Sequence, residues 1–143
     1  MGGGIAMVPR GIRNNNPCNI RRSTTTYKGE VSPSEDRAFK QFESMAYGYR
    51  AVFVTLHYYY TRLGLKTIGQ MIGRWAPPCE NNTDSYANHV SDAVNVDRNA
   101  VLNIGDKRLM VGIVSAMSFI ENGVRAKQED VISGWEMYKK DRS

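Results

Sequence analysis

A helical periodicity of apolar residues constrains this chain more than any other feature, and it begins at Ser44. From there to Gly64 the apolar residues recur at spacings that place them on one face of a helix. Shorter stretches of the same kind follow, each beginning after a residue type that caps helix N-termini. The predicted capping residues are Ser44, Thr67, Asn82 or Thr83, and Asp106. A last stretch covers 131–138, so the pattern predicts five helices, with Gly123 ending the fourth in a left-handed conformation.

The region over 11–43 differs in character, because it is polar and rich in Asn, Thr and Ser. Its apolar residues are too sparse for an amphipathic helix, so we predict turns and short strands. The likeliest strand positions are 27–31 and 38–42. The predicted fold class is therefore α+β and mainly helical, with a small β-region near the N-terminus.

Length and composition indicate a single folded domain. The chain has 143 residues, of which 41% are hydrophobic and 10% aromatic, which is enough for a compact core and unlike a disordered chain. We place this domain at 10–143, after a flexible leader at 1–9, with an additional C-terminal helix over 124–143. We expect a monomer.

No stretch has the character of a signal peptide or a membrane span, so we expect synthesis in the cytoplasm and no membrane insertion. Cys18 and Cys79 fit no metal-ligand spacing, and the two histidines, His57 and His89, add none. We therefore expect neither a metal nor an organic cofactor. Because a signal peptide is lacking, two free cysteines are favoured over a Cys18–Cys79 disulfide.

A short loop over 10–22 gathers asparagines and arginines. Side-chain amides both donate and accept hydrogen bonds, which suits a sugar with N-acetyl and hydroxyl groups. The alternative is that these asparagines satisfy the backbone of turns and tolerate left-handed conformations. The basic cluster, with a net charge of +5, also admits a nucleic-acid partner. No signature of a nucleic-acid-binding fold accompanies it, so we expect no nucleic acid, and the charge equally suits an anionic cell wall.

Four segments carry a recognisable pattern, at 10–20, 42–51, 74–86 and 120–123. Together and in this order they resemble a family of phage and prophage lytic structural proteins. The resemblance implies a lysozyme-like domain, of the lytic-transglycosylase or glucosaminidase kind, that acts on peptidoglycan. One departure is Cys18, where relatives often carry glycine, and a positive φ at that position would strain a cysteine.

A glycosidase needs a carboxylic acid that keeps its proton near neutral pH, and Glu121 is the best candidate. It is predicted to end the fourth helix, where the negative end of the helix dipole disfavours a carboxylate. Its neighbours Phe119 and Ile120 are expected to shield it partly from water. Both effects raise the pKa of Glu121, as a general acid requires, whereas the alternative is an exposed glutamate without a role.

Glu80 is the rival acid, just before the third helix. The helix N-terminus favours its ionised form, which suits a base or an electrostatic stabiliser better than an acid, and a capping carboxylate is the alternative. Tyr86, one turn into that helix, resembles the tyrosine that lines the catalytic cleft of related enzymes. Packing in the core is its alternative role.

The resemblance also raises a question of topology. In lysozyme-like enzymes the helix that carries the catalytic glutamate precedes the binding loop, whereas here the loop begins at Arg10 with no helix before it. We hypothesise a circular permutation in which the helix over 106–121 replaces the missing first helix. This hypothesis predicts that Glu121 faces the loop over 14–19.

The predicted function is cleavage of the β-1,4 bond between N-acetylmuramic acid and N-acetylglucosamine in peptidoglycan, with a single glutamate as acid and base. By resemblance, glycan strands are held by loop residues and by residues that line the cleft. The loop residues are Arg13, Asn15, Asn16 and Asn19, and the cleft residues are Asn81 and Tyr86. The alternatives are a non-catalytic virion or wall-binding protein and a peptidoglycan endopeptidase. In each case the protein would reach the wall by release at lysis or within a virion.

Overall fold

The structure is a computed structural model that describes residues 8–79 and 81–142. Within these residues it contains six helices and two short strands. The elements are α1 (Arg10–Arg13), β1 (Glu30–Val31), β2 (Gln41–Phe42), α2 (Met45–Arg62), α3 (Ile68–Trp75), α4 (Thr83–Val94), α5 (Lys107–Asn122) and α6 (Gln128–Arg142). The rival acid Glu80 and residues 1–7 of the predicted leader lie outside the described residues. A mainly helical fold with a small N-terminal sheet is thus confirmed.

The N-termini of the long helices follow the predicted capping chemistry. The side chains of Ser44, Thr67, Asn82 and Asp106 each accept a hydrogen bond from the backbone N–H three residues further on. Asn82 is the cap of α4, because Thr83 is already its first helical residue. Gly123 ends α5 with a φ of 72°, in the left-handed region where glycine carries no steric penalty.

The two predicted strand regions pair with each other, but over shorter lengths than predicted. β1 and β2 are antiparallel, with Glu30 opposite Phe42 and Val31 opposite Gln41. A separate bridge joins Arg21 to Phe39 and extends the contact between the two arms of this region. The small sheet thus pairs two parts of the polar N-terminal region, and its strand β2 packs against α2.

The single-turn helix α1 was not predicted, since 10–13 fell in the loop region. Gly11 lies so close to α5 that a Cβ there would overlap the side-chain oxygen of Asn122 and come within 2.8 Å of the Asn16 carbonyl. This turn is therefore fixed by contact with distant residues. A four-residue segment carries no helical periodicity from which to predict it.

The core lies between α2 and α6 and continues under α3, α4 and α5. The ring of Phe53 meets Trp135 edge-on at a centroid distance of 5.2 Å and stacks on Tyr138 at 5.9 Å. Helix α6 is thus an integral part of the core. Within the described part of the chain, no helix combines the length and apolar character needed to cross a membrane.

Candidate active site

Three of the predicted site residues meet at the C-terminal end of α5. One carboxylate oxygen of Glu121 accepts a hydrogen bond from Asn19 Nδ2 at 2.8 Å. The other accepts from the hydroxyl of Tyr86 at 3.0 Å. The predicted juxtaposition of Glu121 with the loop over 14–19 is therefore confirmed. Chain segments more than a hundred positions apart in sequence are joined at this carboxylate.

The surroundings of Glu121 oppose its negative charge. Burial raises the pKa of Glu121, while the hydrogen bonds from Asn19 and Tyr86 and the charge of Arg21 act in the other direction. The net effect is a raised pKa, so this carboxyl keeps its proton to higher pH than an exposed glutamate does. Burial also raises the pKa of the Tyr86 hydroxyl, which stays a neutral donor.

The source of this burial differs from the prediction. Phe119 and Ile120 were expected to shield Glu121. Phe119 is 39% exposed and its ring stacks on His89 at 5.7 Å, whereas Ile120 is partly buried against the core. Residues from other elements also contact Glu121 directly, namely the buried Tyr86 and the partly exposed Asn19. Its charge also raises the pKa of the fully buried Cys18 thiol, after the larger effect of burial.

The loop that carries Asn19 is shaped by its asparagines. Asn15 and Asn19 both adopt left-handed conformations, with φ of 52° and 53°, which asparagine tolerates better than most residues. Cys18 is not among the positive-φ residues, so cysteine at this position brings no backbone strain. Its carbonyl accepts a hydrogen bond from the indole N–H of Trp75 at 3.1 Å, which fixes the loop against α3.

Asn16 has a structural role in this loop, in contrast to the predicted contact with substrate. Its side chain is 0% exposed and donates to the carbonyls of Ile20 and Lys40, both at 2.9 Å. Its oxygen accepts from the Ile20 N–H at 2.8 Å, so every polar group of the amide is already used. Asn15 donates to the Phe42 carbonyl and remains partly exposed.

The other predicted binding residues lie at the surface. Arg13 is exposed at the end of α1. Asn81 is exposed just before α4 and helps to line a cavity of about 280 Å³ beside Tyr86. The lining of this cavity is Asn81, Asn82, Ser85, Tyr86, His89 and Ile120. A small hollow thus opens next to Tyr86, which donates a hydrogen bond to Glu121.

Arg21, Cys18 and Trp75 contribute to the site without having been predicted for it. Arg21 stood in the sequence only as part of a basic cluster, and Trp75 only as one position of the apolar face of α3. The Asn19 side-chain oxygen is buried and accepts no hydrogen bond within the described chain. Among residues 8–79 and 81–142, no three His, Cys, Asp or Glu side chains are grouped so as to hold a metal ion. Both cysteines are free, Cys18 in the interior and Cys79 at the surface.

Fold and site together define a class of small, mainly helical proteins in which one partly buried glutamate is hydrogen-bonded by a tyrosine that lines a small hollow. The chain is 36% identical over 130 residues to Protein P5 of Pseudoalteromonas phage PM2, and the match covers 84% of this chain and 79% of the phage protein. The chain therefore belongs to the family of this phage protein. No model of a protein family matches it.

Proposed function

We propose that this protein is a peptidoglycan-degrading glycosidase with a lysozyme-like domain, a muramidase or a lytic transglycosylase. The bond that it cleaves is the β-1,4 link between N-acetylmuramic acid and N-acetylglucosamine. The observation that carries the proposal is the environment of Glu121, a partly buried carboxyl with a raised pKa that is hydrogen-bonded by Tyr86, a residue lining the adjacent hollow. The motif resemblance and membership in a phage family support it.

Glu121 acts first as general acid and donates its proton to the glycosidic oxygen as the bond to the sugar breaks. The carboxylate that remains is stabilised by the hydrogen bonds from Asn19 and Tyr86. It then acts as base, either toward water or toward the 6-hydroxyl of the sugar itself. Water gives hydrolysis, whereas the internal hydroxyl gives the anhydro-sugar product of a transglycosylase.

The glycan strand lies along the hollow beside α4 in this proposal. Asn81 and Tyr86 line it, and the exposed Arg13 and partly exposed Asn15 contact the strand from the loop side. Asn16 supports the loop through its three backbone hydrogen bonds. Because peptidoglycan is the substrate, the protein acts at the wall, after release from the cytoplasm or as part of a virion.

The test is a turbidity or zymogram assay on purified cell walls with Glu121→Gln. This change keeps the shape of the side chain and removes its titrating proton, so lysis falls by about 10²- to 10⁴-fold. Glu129→Gln, on the exposed first turn of α6, is the matched control and retains wild-type lysis. Glu80→Gln tests the rival acid. If Glu121→Gln lyses walls at the wild-type rate while Glu80→Gln is inactive, the choice of Glu121 as the acid is wrong.

A second candidate is a wall-binding protein without turnover. It is favoured by one observation, that both oxygens of Glu121 already have partners within the protein, as in a purely structural buried carboxylate. Mass analysis of material released from walls separates the candidates. Sugar fragments with reducing or anhydro ends support a glycosidase, released peptides indicate an endopeptidase, and wall binding without release indicates the second candidate.

A further inference from the structure

A second cavity, of about 890 Å³, lies between the segment over 21–27 and the C-terminal half of α2. Its lining is strongly basic, and none of the described lining residues is acidic. The residues that give it this character are Arg21, Arg62, Arg74 and Arg142. Four guanidinium groups from four parts of the chain therefore border one hollow.

Arg62, Arg74 and Arg142 form no ion pair with any other described residue. Arg74 lies over the ring of Tyr59 at 5.6 Å, and Arg142 over that of Tyr138 at 5.8 Å. Such ring contacts orient a guanidinium and leave its N–H donors available for an anion.

Helix stability explains part of this arrangement. Arg62 and Arg74 lie in the last turns of α2 and α3, where a positive charge complements the helix dipole. The dipole does not explain why both helices end at the same hollow, or why Arg142 of α6 joins them. Like charges at one cavity repel each other, and an anion bound between them removes that repulsion.

The basic cavity adjoins the candidate active site through a chain of contacts. Tyr59 lines the cavity and meets the ring of Trp75 edge-on at 6.1 Å. Trp75 donates to the carbonyl of Cys18, whose neighbour Asn19 bonds Glu121. Arg21 also borders the cavity, and its charge reaches Glu121. Arg21 thus belongs both to the basic cavity and to the charged surroundings of Glu121.

We propose that the basic cavity binds the carboxylate groups of the short peptides attached to the glycan strand. This proposal rests on the proposed function, because it assigns the cavity to the same polymer. Guanidinium forks match planar carboxylates with two parallel hydrogen bonds, and the hydroxyls of Ser23, Thr25 and Tyr58 add further polar contacts. Neutral sugar rings alone give the guanidinium groups of Arg62, Arg74 and Arg142 no charge partner.

The experiment measures Kd for soluble glycan fragments with and without their peptides, by calorimetry, so that it does not depend on turnover. The wild-type protein binds the peptide-bearing fragments more tightly. The double variant Arg62→Gln/Arg74→Gln loses about tenfold in affinity for them and no longer prefers them over bare glycan. The matched double variant Arg108→Gln/Arg125→Gln removes the same charge at exposed positions outside the cavity and keeps the preference.

Equal wild-type affinity for both kinds of fragment overturns the proposal, as does an unchanged preference in Arg62→Gln/Arg74→Gln. Tighter binding of inorganic phosphate or of an RNA oligonucleotide than of the peptide-bearing fragments assigns the cavity to another ligand and also overturns it. Thermal melts check that all variants are folded. If wall lysis proves independent of Glu121 while the binding preference holds, only the proposed function fails.

Discussion

Glu121 occupies surroundings that favour its neutral form and yet provide for its charged form. Burial raises its pKa, whereas the two neutral donors Asn19 and Tyr86 contact the oxygens that carry the charge after proton loss. A residue that must give up a proton and take it back needs both conditions. The Tyr86 hydroxyl suits this exchange, because it can donate to the carboxylate or accept from the acid.

The raised pKa of Glu121 makes a prediction about stability. A folded protein that holds this proton more tightly than the unfolded chain loses stability as pH rises from the ordinary value of 4.5 through the folded pKa. The Glu121→Gln variant has no titrating group at this position. Its free energy of unfolding therefore does not show this decrease as pH rises. Urea unfolding of both proteins from about pH 4 to about pH 8 measures the difference. Parallel curves for wild type and variant would contradict it.

At this scale the sequence predicted which residues meet but not how each one acts. Glu121, Asn19 and Tyr86 carry recognisable motif positions, and the structure brings them together. Asn16 is an asparagine like its neighbours Asn14 and Asn15. Only its complete burial shows that its side chain supports the loop and is not available to a substrate. The hydrogen bond from Trp75 to Cys18 joins residues far apart in sequence, so no local pattern indicates it.

At the scale of elements, local chemistry predicted where helices begin but not how closely they pack. Ser44 and Asp106 cap their helices through short-range bonds that their residue types dictate. The approach of α6 to α2 depends on Gly134, which reads in the sequence only as a weak helix former. The short α1 depends on tertiary contact in the same way, through Gly11.

Gly134→Ala tests the close packing of α2 and α6. An added Cβ would lie 2.7 Å from the Cβ of Tyr49 and 2.8 Å from the backbone N of Arg50, so the helices must move apart. We expect a loss of about 1–3 kcal/mol in the free energy of unfolding, measured by urea denaturation. Gly73→Ala in α3 is the matched control, because a Cβ there meets nothing within 4 Å. That variant gains about 0.5–1 kcal/mol, and equal effects at both positions would contradict the packing argument.

At the scale of the whole molecule, buried charged groups hold the polar N-terminal region together. Lys40 is only 2% exposed, pairs with Glu30 at 3.0 Å and donates to the Thr25 carbonyl at 2.7 Å. Asp36 accepts from both Arg10 and Asn14, at the start of the loop that carries the site residues. The net charge of +5 does not indicate which charged groups pair. The sequence therefore predicted a polar loop, but not the buried ion pairs that hold it.

Asp36 makes this region sensitive to acid. The Arg10 guanidinium, and further hydrogen bonds from Asn14 and the N–H groups of Ala38 and Phe39, hold the pKa of Asp36 well below its ordinary value of 3.8. A lowered folded pKa gives stability that is present above that ordinary value and is lost as pH falls through the folded pKa. The folded domain therefore loses this contribution progressively as pH falls below the ordinary value of 3.8 toward the lower folded pKa.

Asp36→Ala removes the anchor and leaves its buried donors without a partner. We expect a loss of about 1–3 kcal/mol in the free energy of unfolding at neutral pH, and a smaller difference from wild type below the ordinary pKa of the carboxyl. Because the loop next to this pair carries Asn19, the proposed function predicts that Asp36→Ala also lowers wall lysis. Asp92→Ala, at an exposed position of α4, stays within about 0.5 kcal/mol of wild type. A difference between wild type and Asp36→Ala that is the same at neutral and acid pH would show that the charge of Asp36 does not stabilise the fold.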